Sequence, residues 1–114
     1  MPIYIESSDR PFIIPAQIKM GHKTLTVRLD EYLTFTENCI GKVNHRTNTI
    51  HIQKSTEAWP IPFENQVDSY FHEVLHIALE RAEYNELNED EDFVNRISGF
   101  LAQAALSSEG EAGK

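Results

Sequence analysis

Two histidines four residues apart, with a glutamate directly after the first, stand at His72-Glu73-Val74-Leu75-His76. On a helix, residues four apart lie on one face, a turn from each other. Both imidazoles can then converge on one cation, and imidazole nitrogen suits zinc. A catalytic zinc site takes three protein ligands and keeps a fourth position for water. Zinc lowers the pKa of that water to near neutral, so a carboxylate at Glu73 can take its proton and later hand it to a leaving amine. The chemistry expected of the motif is hydrolysis of a peptide bond, with His72 and His76 as ligands and Glu73 as general base. The bland alternative is a helix whose histidines bind nothing. Val74, Leu75, Ile77 and Ala78 around them argue against it, because buried imidazoles need partners.

The third ligand must come from outside this helix. Glu80 is collinear with His72 and His76 and cannot close a tetrahedron with both. No glycine follows His76 to turn the chain towards a third histidine. The next helix is the natural source, and Glu91 in its first turn is the expected ligand, with Glu89 in reserve. The reach is tight. At ~1.5 Å rise per residue the first helix continues about 10 Å past His76 before the chain can return. Glu91 has a competing role, since Asn88-Glu89-Asp90-Glu91 fits a capping box in which Glu91 bonds back to the Asn88 backbone. Asn95 lies one turn beyond Glu91. Candidates to stabilise an oxyanion are Tyr70, Tyr84, His51 and Arg96, none of them aimed at the site by sequence.

These residues need elements to hold them. From Glu64 to Ala82, apolar residues recur at threes and fours (Val67, Tyr70, Phe71, Val74, Leu75, Ala78, Leu79), which is an amphipathic helix. Asn88 reads as the N-cap of a second helix with Phe93, Val94, Ile97, Phe100, Leu101, Ala104 and Ala105 on one broad face. Upstream, Leu25, Val27 and Leu29 alternate with polar residues over Lys23 to Leu29, a half-buried strand after a turn at Gly21. Ile40 to Asn44 and Thr49 to Ile52 read as hairpin arms around Arg46-Thr47-Asn48. If the second arm is a sheet edge, a peptide could add to it as a further strand. Asp30 to Asn38 is ambiguous between strand and irregular crossing. Pro2, Pro11 and Pro15 fix residues 1–15 as an extended lead-in. Residues 16–106 then form one domain, and 107–114 a flexible tail. The fold expected is α+β: a small antiparallel sheet followed by two helices, the histidine-bearing helix packed on the sheet.

The HEVLH stretch, followed after a short turn by Glu91-Asp92-Phe93-Val94-Asn95, resembles the gluzincin metallopeptidases. The spacing of Glu91 and Asn95 is similar to that in the ImmA/IrrE-type family. The hairpin before the helix is similar to one in its small phage and prophage members. The resemblance covers residues 18–106. It implies a minimal zincin-like fold, Zn2+ held by His72, His76 and Glu91, Glu73 as general base, and Asn95 behind the ligands. It also implies a protein or peptide substrate, such as a regulatory protein. The chain departs from the family pattern in three ways: Val94 stands in place of a small alanine, the gap from His76 to Glu91 is shorter, and no helix-turn-helix or substrate domain is present.

Composition narrows the setting. A net charge of -8 over 114 residues disfavours nucleic acid and anionic membrane as partners. No apolar run approaches the ~20 residues of a membrane span. With Cys39 as the lone cysteine no intrachain disulfide forms, and with no signal peptide visible the expectation is cytoplasmic. Trp59 is expected in the core, Cys39 as a small buried residue, and His22 and His45 at the surface. The acidic stretch from Glu83 to Asp92 is expected as a solvated turn. The competing functional reading is a zinc-containing module that holds a partner without cutting it.

Overall fold

The computed structural model describes residues 3–5, 12–34 and 39–111, with side chains described as far as Ser107. Pro2, Pro11, Phe35 and the last residues of the expected tail lie outside the described residues. The class is α+β, as expected.

The lead-in is more than extended. Strand β1 (Ile3–Ile5) pairs antiparallel with β2 (Phe12–Ile14), and Ile5 and Ile14 are fully buried. The main sheet holds β3 (Gln17–Met20), β4 (Lys23–Asp30), β5 (Gly41–Asn44) and β6 (Thr49–Gln53) in the order β3-β4-β6-β5. Gly21 takes φ 67 in the turn from β3 to β4, a conformation that costs glycine nothing. Leu25 and Val27 point inward from β4 while Thr24 and Arg28 face out, the period-two pattern of a half-buried strand. The β5–β6 hairpin turns where expected. Asn48 sits at φ 51, and the Asn44 Oδ1 accepts from the backbone N–H of Arg46 at 3.0 Å and of Thr47 at 3.3 Å.

Two features differ from the expected small antiparallel sheet. The β4–β6 pair is parallel, so the sheet is mixed. After β4 the chain crosses outward, forms β5, and returns as β6 between β5 and β4. Buried Gln53 fastens that crossing. Its Nε2 donates to the carbonyls of Glu31 and Lys54, and its Oε1 accepts from the Thr34 N–H. The strand Thr49–Gln53 is therefore interior, and among the described residues the edge strands are β3 and β5.

Helix α1 (Phe63–Arg81) lies between the sheet and the last helix. Its Val67, Tyr70 and Ile77 meet Ile50 and Ile52 of β6 in the core. Its end sets up the site. The N–H of Tyr84 bonds the carbonyl of Leu79 at 2.9 Å and that of Glu83 bonds Glu80 at 3.1 Å. This Schellman closure satisfies orphan carbonyls and reverses the chain. It needs a left-handed residue, and Glu83 supplies it at φ 66 where glycine is usual.

A short helix α2 (Asn85–Glu89) follows, then α3 (Glu91–Glu111). The cap of α3 is Asp90, whose Oδ1 accepts from the Phe93 N–H at 3.1 Å. The expected start at Asn88 is thus displaced, because α2 already occupies the chain to Glu89. The buried stripe of α3 is Val94, Ser98 and Ala102, four apart, while Phe100 and Leu101 face solvent at 66% and 41% exposure. One helix packing mainly on α1 buries a narrow stripe rather than the broad face expected. The helix also continues to Glu111, past the expected boundary at 106. Among the described residues no helix is long and apolar enough to cross a membrane.

The left-handed Glu83 generates a prediction. Glu83→Gly should raise stability by about 1 kcal/mol, because its side chain is exposed and its backbone conformation is costly for any L-residue. Denaturant unfolding measures this; a destabilised variant would show that the closure is held by the Glu83 side chain instead.

Candidate metal centre

Helix α1 puts His72 and His76 one turn apart with ring centroids 4.7 Å from each other. The reversal through α2 returns the chain so that Glu91, the first residue of α3, reaches both. One Glu91 oxygen lies 3.5 Å from His72 Nε2, the other 3.2 Å from His76 Nε2. The donor atoms of the three residues fall within 4.8 Å of one another. Tetrahedral coordination with bonds of about 2.0–2.1 Å has ligand–ligand edges of about 3.3–3.5 Å. The two imidazole–carboxylate separations are of that size but involve different oxygens of Glu91, so the three side chains must draw together for this donor set to hold a divalent cation such as zinc. The capping-box role does not arise, since Glu91 stands at the first position of α3 and Asp90 caps it.

Neighbouring groups orient both imidazoles. His76 Nδ1 lies 2.6 Å from Asn88 Oδ1, which can only accept, so Nδ1 donates to it and Nε2 is the ring nitrogen turned to Glu91. Burial pushes the His72 pKa below its ordinary value, and His76 beside it adds to the shift. Glu91, Asp68 and a hydrogen bond with Asn95 pull the other way. The net direction favours neutral imidazole, the form that binds metal.

Glu73 faces the opposite way from an ordinary helix glutamate. It is only 9% exposed and its carboxyl abuts the start of the edge strand. A Cβ added at Gly41 would lie 3.3 Å from Glu73 Oε2 and 3.4 Å from Ser69 Cβ, a tight fit that would press on the Glu73 carboxyl. Burial raises the Glu73 pKa to about 7, with His76 lowering it and Glu91 raising it further. A carboxyl poised near neutrality can both accept and return a proton at physiological pH. Beside it a polar cavity of about 220 Å³ is lined by Gly41, Asp68, Ser69, His72, Glu73 and Asn95.

The other expected residues are dispersed. Tyr70 is a core residue stacked edge-on against Phe71, and burial raises its pKa. His51 is on the outer sheet face with Nδ1 2.6 Å from Asp30. Tyr84 is exposed beyond α1, Glu89 is exposed on α2, and Arg96 pairs with Asp92. Asn95 does join the site, on the cavity wall beside His72. Trp59 and Cys39 are half-buried outside the core cluster, not within it as expected; His22 and His45 are exposed. Sequence reasoning missed Asn88 as the partner of His76, and missed Gly41, Asp68 and Ser69. Asp68 and Ser69 were within reach, lying one turn before His72 and Glu73 on the same helix.

The raised Glu73 pKa fixes a sign for stability. Between 4.5 and about 7 the folded metal-free protein binds a proton that the unfolded chain has released. Its contribution is therefore fully present below about pH 4.5 and is lost as pH rises through about 7. Glu73→Gln should be more stable than wild type near about pH 8 by an amount on the order of 3 kcal/mol, and no more stable near about pH 4. Chelator-treated samples unfolded at both pH values test this; a pH-independent difference would contradict it. Comparison with protein-family models, curated proteins and solved structures returns no match, so the reading of this site rests on its own geometry.

Proposed function

We propose that this chain is a zinc-dependent metallopeptidase of gluzincin type, akin to the ImmA/IrrE-type enzymes its motif resembles, acting on a protein or peptide substrate. The observation that carries the reading is Glu91 set 3.5 and 3.2 Å from the two Nε2 atoms, with a buried carboxyl at the adjacent Glu73. His72, His76 and Glu91 would hold the metal, and bound zinc would supply Lewis acidity towards water and the scissile carbonyl. Glu73 would take a proton from the attacking water and return it to the leaving amine. With metal bound, Asn88 would hold the His76 ring with Nε2 turned to the metal position. β5, an edge strand among the described residues, passes beside Glu73, so an extended peptide adding to it would lie across the site. A cytoplasmic setting is part of the proposal, supported by a sequence with one cysteine, which cannot form a disulfide within itself.

A second reading, a zinc-containing module that binds without cutting, is favoured by one observation. Of the expected oxyanion stabilisers, Tyr70 is in the core and His51 is on the far face of the sheet.

One variant separates the two. Glu73→Gln should lower peptide hydrolysis by about 10²–10⁴-fold, the usual worth of general acid–base catalysis, while stoichiometric zinc is retained. A zinc-loaded wild type with no hydrolysis, or a Glu73→Gln protein as active as wild type, would overturn the enzyme reading. His72→Ala should release zinc and lower the melting temperature, and chelator should do the same to wild type. Calorimetry with metal analysis checks this, and an unmoved melting temperature in both cases would refute a bound metal.

A further inference from the structure

We infer that Asp68 selects a lysine or arginine side chain in the peptide substrate, within the two residues that follow the scissile bond. The inference rests on the peptidase reading above and deepens it.

Direction comes from the edge strand. Gly41, at the start of β5, lies against Ser69 and Glu73, while His45, just past its end, is 3.6 Å from Glu80. Strand β5 therefore runs alongside α1 in the same sense. A peptide pairing antiparallel to β5, as β6 does on the other side, enters at the Asn44 end and leaves at the Gly41 end. The residues after the scissile bond then pass over Gly41 and the polar cavity beside it.

Charge comes from the cavity itself. Its six lining residues include His72 and Glu73 of the metal centre, and Asp68 is the one further charged group among them. Asp68 is exposed, one turn before His72, and near enough to raise that imidazole's pKa. The remaining lining, Gly41, Ser69 and Asn95, is uncharged and offers no apolar floor for a large hydrophobic side chain. A carboxylate at the mouth of a small polar recess favours an ammonium or guanidinium group. The wider field agrees: residues 57–114 carry thirteen acidic against three basic side chains, which attracts basic peptides.

The test uses zinc-loaded Glu73→Gln protein, so that binding is read without turnover. Paired peptides differ in one residue, lysine or norleucine. The lysine peptide should bind about fivefold more tightly at low salt, the upper end for an exposed ion pair, and added salt should shrink the difference. Asp68→Asn in this background should bring the ratio close to one, and Asp68→Lys should turn the preference towards a glutamate peptide, with zinc content unchanged. Equal binding of lysine and norleucine peptides, a ratio untouched by Asp68→Asn, or no binding of either peptide overturns the inference. Fragments cut by the wild type should carry lysine or arginine at their first or second residue; cuts indifferent to charge also overturn it. An Asp68-dependent preference in a protein whose wild type cuts nothing would instead sink the peptidase reading and leave the recognition site standing.

Discussion

Glu91 can meet two imidazoles on another helix only because α1 stops and the chain doubles back within a few residues. A helix that ran on would carry the next acidic residues away from His76 at about 1.5 Å each. The Schellman closure at Leu79, Glu80, Glu83 and Tyr84 ends it, and the single turn of α2 spends the return path. That short turn also carries Asn88 back to His76 Nδ1. One reversal thus delivers a prospective ligand and the residue that orients another. Glu83 holds it in a backbone conformation that glycine would adopt more readily.

On its other side α1 answers to the sheet. Val67, Tyr70 and Ile77 bury against β6, and this fixes the helix rotation so that Glu73 turns towards β5. Gly41 packs closely against it there, and burial raises the Glu73 carboxyl towards neutrality. The histidines lie between these two surfaces, partly buried, with Glu91 reaching them from solvent. The same helix therefore carries a shielded carboxyl and an open donor cluster side by side, with His72 and Glu73 lining one cavity. The proposed hydrolytic centre would use both, a proton carrier partly shielded from bulk water and a donor cluster that substrate can approach.

Much of this was legible in the chain. The HEVLH spacing on an amphipathic helix placed His72, Glu73 and His76, and the need for a third donor pointed to Glu91. Gly21 and Asn48 announced their turns because few residues tolerate positive φ. What stayed hidden depended on tertiary choices. Asn88 looks like a helix cap because asparagine serves caps and side-chain contacts equally well, and only the existence of α2 decides between them. Phe100 and Leu101 look like core residues, but an outer helix buries only the stripe that its neighbour covers. The identity of the sheet edge depends on β6 inserting between β4 and β5, and no local pattern encodes that order.

The central claim is that His72, His76 and Glu91 together form a metal site. Replacing zinc with cobalt(II) makes it visible, because four-coordinate cobalt absorbs far more strongly in the visible range than the octahedral aquo ion. The account predicts that one equivalent of cobalt gives an intense four-coordinate spectrum, and that Glu91→Ala weakens both the band and the affinity. A spectrum of octahedral type, or one that Glu91→Ala leaves unaltered, would contradict it.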